Sequence, residues 1–110
     1  MLMNVVLDTN FLLLPFEKKL DVYEKIPLLL EDSVVFYTPR QCFDELIAKK
    51  LEKKFAAALD LARKKIRVVL VLSQKPDDAV IEACREYNAV GATNDKQLRQ
   101  KLKNAGIKTI

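Results

Sequence analysis

Asn4-Val5-Val6-Leu7-Asp8-Thr9-Asn10 decides how this chain is read. A β-branched and leucine-containing run without polar alternation stops at a carboxylate. A strand covered on both faces shows no alternation, so the run from about Met3 to Leu7 reads as an inner strand of a parallel sheet. In open α/β sheets, ligands bind beyond the carboxyl ends of the strands. Asp8, the first residue off this strand, stands where a site belongs.

Working outward, Val34–Thr38 and Ile66–Leu72 are further β-rich runs. Ala89–Ala92 is a short, small-residue strand, as a central strand crossed closely by helices could be. Ile107–Ile110 is a last short one. Helical patterns fill the gaps. Asp21–Leu30 carries Val22 and Ile26 on one side, with Pro27 complicating it. Phe43, Ile47, Leu51, Phe55 and Leu59 recur every four positions, and the length from about 40 to 65 predicts two helices or one bent one. Pro76-Asp77-Asp78 opens another helix ending near Asn88, and Thr93-Asn94-Asp95 caps one that Gly106 terminates. Phe11–Phe16 reads as an apolar turn that Pro15 interrupts. Pro39 suits a first helical turn, with Thr38 as its cap. Strands alternating with helices predict right-handed βαβ units. The expected fold is α/β, a three-layer α/β/α sandwich with a central, mainly parallel sheet of four to five strands, in a single domain over residues 1–110.

Half of the 110 residues are hydrophobic, enough for a core without staples. No apolar run reaches the roughly 18–20 residues that cross a membrane, and the N-terminus lacks a secretory pattern. The expectation is a cytoplasmic protein with no membrane partner. Cys42 and Cys84 sit beside apolar neighbours and read as buried free thiols. There is no histidine, which removes Ser-His-Asp and Cys-His nucleophile systems and most zinc sites. Enzymatic chemistry must then run on carboxylates, lysines or metal-bound water.

Asp8 follows the first strand, Asp78 lies in the first turn after the third, and Asp95 follows the fourth. Glu45 comes seven residues after Thr38, within about two turns of its helix start. The βαβ rule thus brings four carboxylates to one edge. Taken singly, each has a plainer reading. Asp77 and Asp78 are ordinary first-turn acids, Asp95 is a cap, and Asp44-Glu45 with Lys49 suits an exposed i,i+4 pairing. Together they repel unless a cation sits among them. Such hard oxygen donors suit one or two Mg²⁺ or Mn²⁺ ions, which position and activate a water against a phosphate. Net charge is +4, with basic residues concentrated in 40–67 and 96–108. Basic faces beside an acidic cluster suit a polyanion, although lysine-rich helices can also be simply solvated.

At this point the residues resemble the PIN domain family. Val5–Leu13, Phe43–Leu46, Asp77–Ile81 and Ala92–Arg99 match its pieces in order over essentially the whole chain. The likeness is greatest to small archaeal PIN proteins related to the eukaryotic small-subunit rRNA-processing nucleases, and more distant to VapC-type toxin ribonucleases. The resemblance implies a Mg²⁺- or Mn²⁺-dependent endoribonuclease cutting single-stranded RNA, with Asp8, Glu45, Asp78 and Asp95 as catalytic metal ligands. Asp77 is the alternative to Asp78, since Asp-Asp-Ala-Val-Ile permits either register. Asn10 and Thr93 match supporting positions, and Gln97 stands where some relatives carry a further acid. The substrate, an rRNA precursor in the processing version, would lie over Lys49, Lys50, Lys53, Lys54, Lys96 and Arg99, with Tyr37 and Phe11 as candidates to stack bases. A homodimer is also implied. The other functional readings are a noncatalytic RNA-binding or ribosome-assembly module, and a toxin of a toxin–antitoxin pair. An aspartyl phosphotransferase would use Asp8 as nucleophile, but the acid usual two residues on is Asn10 here.

Overall fold

The computed structural model describes residues 2–110. Its elements, in chain order, are β1 (Leu2–Leu7), α1 (Thr9–Glu17), α2 (Val22–Leu30), β2 (Ser33–Pro39), α3 (Arg40–Ala48), α4 (Lys53–Lys65), β3 (Ile66–Val69), α5 (Pro76–Glu86), β4 (Val90–Ala92) and α6 (Lys96–Asn104). The four strands form one parallel sheet in the order β3-β2-β1-β4.

Successive side chains of a strand point to opposite faces, and this alternation divides the core in two. Val5, Leu7, Phe36, Val90 and Ala92 meet residues from α1, α2, α3 and α4 on one face. Val6, Tyr37 and Val69 meet α5, α6 and Cys42 of α3 on the other. The α/β/α layering expected from the sequence is what forms. Both cysteines are buried free thiols, and among the described residues no helix is long and apolar enough to cross a membrane.

Several local expectations are corrected. Residues 11–16 are no turn but the body of α1, a helix that contains Pro15. Asp8 caps it by accepting from the Phe11 backbone N–H at 2.9 Å, and burial of Phe11, Leu12, Leu13 and Leu14 outweighs the bond that proline removes. Thr38 stays in β2 and donates to the Leu7 carbonyl at 2.9 Å, while Pro39 itself is the N-cap of α3. The predicted stripe from Phe43 to Leu59 is broken between α3 and α4, and Leu51 in that break is 98% exposed. β3 stops at Val69, because its partner β2 ends at Pro39 and the next residues bond elsewhere, to Gln41 and Glu82. Ile107–Ile110 supplies one bridge, Gly91 to Thr109, instead of a fifth strand.

β4 is close-crossed as its composition suggested, but it lies beside β1 at an edge of the sheet rather than in the centre. A Cβ on Gly91 would sit 2.8 Å from Leu102 Cδ1 of α6, which is why the smallest residue stands there. Asn88 and Gly106 both adopt left-handed φ values, of 49° and 76°, and end their helices as read.

Candidate functional site

The register of the sheet builds the site. Leu7 pairs with Ala92, so the residues that leave β1 and β4 at their carboxyl ends, Asp8 and Thr93, are neighbours across the gap. The Asp8 N–H donates to the Ala92 carbonyl at 3.2 Å, and the Thr93 hydroxyl donates to Asp8 Oδ2. The same hydroxyl accepts the Asp95 N–H at 3.0 Å, and Asp95 Oδ1 caps α6 by accepting from Leu98 N at 3.0 Å. On the other side, Thr9 Oγ1 donates to Glu45 Oε1 of α3 at 2.7 Å. Two threonines therefore orient two of the acids.

Asp8, Glu45, Asp77, Asp78 and Asp95 all line one cavity of about 540 Å³, with Thr9, Asn10, Cys42 and three lysines. Asp8 is 6% exposed. Burial pushes its carboxyl above the usual range, the bonds from Thr93 and Phe11 oppose this, and the negative charges of Asp77 and Asp95 push it further up. The Cys42 thiol, buried in the same floor, is pushed up to about 12, chiefly by desolvation, and stays an inert thiol rather than a nucleophile.

The two candidates for the third acid differ. Asp77 is half-buried and its charge bears on Asp8. Asp78 is exposed and also borders an adjoining depression lined by Ser73, Ile81, Glu82 and Arg85. Among the described residues no three acid or thiol side chains stand ready as a closed metal cage. The donor set nonetheless suits a hard divalent ion that keeps several waters and takes few direct protein ligands. Asp95 caps a helix and Asp77 and Asp78 lie in a first turn, so the plain readings hold alongside the shared cavity. Asp44 makes its i,i+4 pair with Arg40, at 3.1 Å, rather than toward Lys49, and Glu45 accepts from Thr9.

The cations expected to meet RNA are scattered. Lys49 lines the cavity, with its ammonium 5.2 Å from the Phe55 ring. Lys50, Lys53 and Lys96 are exposed outside the cavity lining. Lys54 pairs with Glu17 at 2.9 Å. Arg99 is a structural brace, donating to the carbonyls of Thr93, at 3.0 Å, and Ile110. Tyr37 and Phe11 are not available for bases. Tyr37 is buried and stacked on Tyr87 with centroids 4.7 Å apart, and Phe11 lies in the core. The apolar wall of the cavity is Leu13 and Phe55 instead. Sequence reasoning missed Thr9, Lys75 and Lys101. Thr9 had a signal in its place beside Asp8, but its partner Glu45 is 36 positions away.

The chain is 30% identical to Ribonuclease VapC4 of Methanocaldococcus jannaschii, over 94% of this chain and 86% of that protein. It is 25% identical to the rRNA-processing protein fcf1 of Schizosaccharomyces pombe, over 91% of this chain but 53% of that protein, so it spans about half of that relative. Among solved structures, the PIN domain endonuclease Utp24 superposes with a TM-score of 0.81 at 24% identity, covering 96% of this chain and 82% of that one. VapBC2 from Rickettsia felis superposes with a TM-score of 0.70 at 15% identity, covering 98% of each chain. These likenesses in structure concern the fold. A PIN like domain family model matches residues 5–110, and with that match over nearly the whole length the chain belongs to the PIN domain family.

Proposed function

We propose that this protein is a divalent-metal-dependent endoribonuclease acting on single-stranded RNA. The observation that carries this reading is the convergence of Asp8, Glu45, Asp77, Asp78 and Asp95, from four separate stretches of sequence, on one cavity at the carboxyl edge of the sheet. Its support is the family, whose nucleases generally use divalent ions, and the 30% identity to a ribonuclease. Mg²⁺ or Mn²⁺, when bound, supplies activation of water and charge stabilisation at the scissile phosphate.

The protein's own part is orientation. Asp8, Glu45 and Asp95 would hold the ion or its waters, with Asp77 as the third acid in place of Asp78, because Asp77 is half-buried in the cavity while Asp78 is exposed and also borders the adjoining depression. Thr93 and Thr9 fix the carboxylates of Asp8 and Glu45, so little reorganisation is left for the moment of reaction. Leu13 and Phe55 give the cavity an apolar wall.

The test is cleavage of a fluorescent single-stranded RNA by the wild type and Asp8→Asn in Mn²⁺, Mg²⁺ or EDTA. Cutting that needs the metal and is lost in Asp8→Asn is expected. A folded wild type that binds the RNA without cutting it would overturn the reading in favour of a noncatalytic RNA-binding module.

A further inference from the structure

Among the described residues, Lys49, Lys75 and Lys101 line the acidic cavity. Lys49 is drawn over the Phe55 ring. Lys75 and Lys101 are exposed, and no ion pair holds either one among the described residues. Each belongs to an element that brings an acid to the cavity. Lys75 is the N-cap of α5, two positions before Asp77. Lys101 lies on α6, whose start is capped by Asp95.

Their backbones are held in place. The loop that leads to Lys75 is fastened from α5 by Glu82, which accepts from Leu72 N at 2.7 Å, Ser73 N at 3.0 Å and Ser73 Oγ at 2.7 Å. From α3, Gln41 Nε2 donates to the carbonyls of Val71, at 3.4 Å, and Ser73. Lys101 is fixed in azimuth by Leu98 and Leu102, its fully buried neighbours on α6. A polyanion entering a cavity of five carboxylates is repelled. A bound cation relieves this for the scissile phosphate, while the flanking phosphates need cations of their own.

We propose that Lys75 and Lys101 form a clamp for the phosphates on either side of the scissile one, which makes an internal phosphodiester of a longer strand the preferred substrate over a dinucleotide. This rests on the nuclease reading above and adds two residues that the sequence did not single out.

Binding of a labelled single-stranded RNA is measured across a salt series, with Ca²⁺ in place of Mg²⁺ or Mn²⁺ to hold back cleavage. The slope of log affinity against log salt should shrink by about 0.7 for Lys75→Met or Lys101→Met, and by about 1.4 for the pair. Lys64→Met, on the far turn of α4, should leave it unchanged. With Mn²⁺, the pair should raise KM for the long RNA several-fold, hold kcat, and leave a dinucleotide unaffected. An unchanged slope in the double variant, or equal losses on both substrates, overturns the clamp even if the wild type cuts RNA. A slope that depends on the two lysines in a protein that does not cut removes the nuclease reading and, with it, a clamp about a scissile phosphate.

Discussion

Asp8 serves the fold and the site with the same carboxylate. It caps α1 through Phe11 N and accepts the Thr93 hydroxyl, yet burial raises its pKa from the ordinary 3.8. Holding it ionised therefore costs the folded state stability. The sign follows from linkage. Below the unfolded value both states are protonated and no penalty exists, and the penalty grows as pH rises through the raised folded value. Asparagine caps a helix about as well as aspartate, so Asp8→Asn should melt at a higher temperature than wild type in EDTA at neutral pH. The difference should fade as pH drops below about 4. Thermal melts from pH 3.5 to 8 check this, and a variant less stable at neutral pH would show that the cap and hydrogen bond outweigh desolvation. At the neighbouring pair, Asp77→Asn should lower metal-dependent cleavage at least about tenfold more than Asp78→Asn, roughly 1.4 kcal/mol of barrier. Equal losses would mean that both acids serve the ion.

At the level of elements, the β3–α5 connection is the part the site depends on and the sequence concealed. Ile66 to Leu72 reads as one long strand, but pairing ends where β2 reaches Pro39, and a carboxylate ten residues beyond Leu72 takes over its N–H. The backbone bond from Leu72 and the hydroxyl bond from Ser73 hold the Glu82 carboxyl below its ordinary 4.5. A depressed carboxylate stabilises the fold above its unfolded pKa and loses that contribution as pH falls through the folded value. Glu82→Gln should thus lower the melting temperature at pH 7, with the gap to wild type closing as pH falls below about 4.5. A gap that persists in acid would assign the loss to packing. The helices show the complementary case. Pro76, Asp95 and Gly106 carry their structural role in their own chemistry, so their positions were legible. α1 was not, because nothing local reveals that its four apolar residues would all be buried.

Over the whole molecule, two cores pack on the two faces of one sheet. Leu102 is fully buried and fills the space that Gly91 leaves, so Leu102→Ala should destabilise the protein by about 2–5 kcal/mol, as chemical denaturation would measure. A smaller loss would indicate that α6 collapses onto β4. By itself the sequence determined the α/β layering and the residues at the ends of β1 and β4, because buried parallel strands must be continuously apolar and their carboxyl ends must open onto polar turns. Asp8 and Asp95 were legible for that reason, while Glu45 and the Asp77-Asp78 pair were legible as acids near the starts of helices that follow strands. The tertiary structure alone decided the strand order that sets Thr93 against Asp8, the bond from Thr9 to Glu45, and the choice of lysines that reach the cavity. Those depend on which surfaces meet across tens of residues, and no local pattern of charge or hydropathy encodes such a meeting.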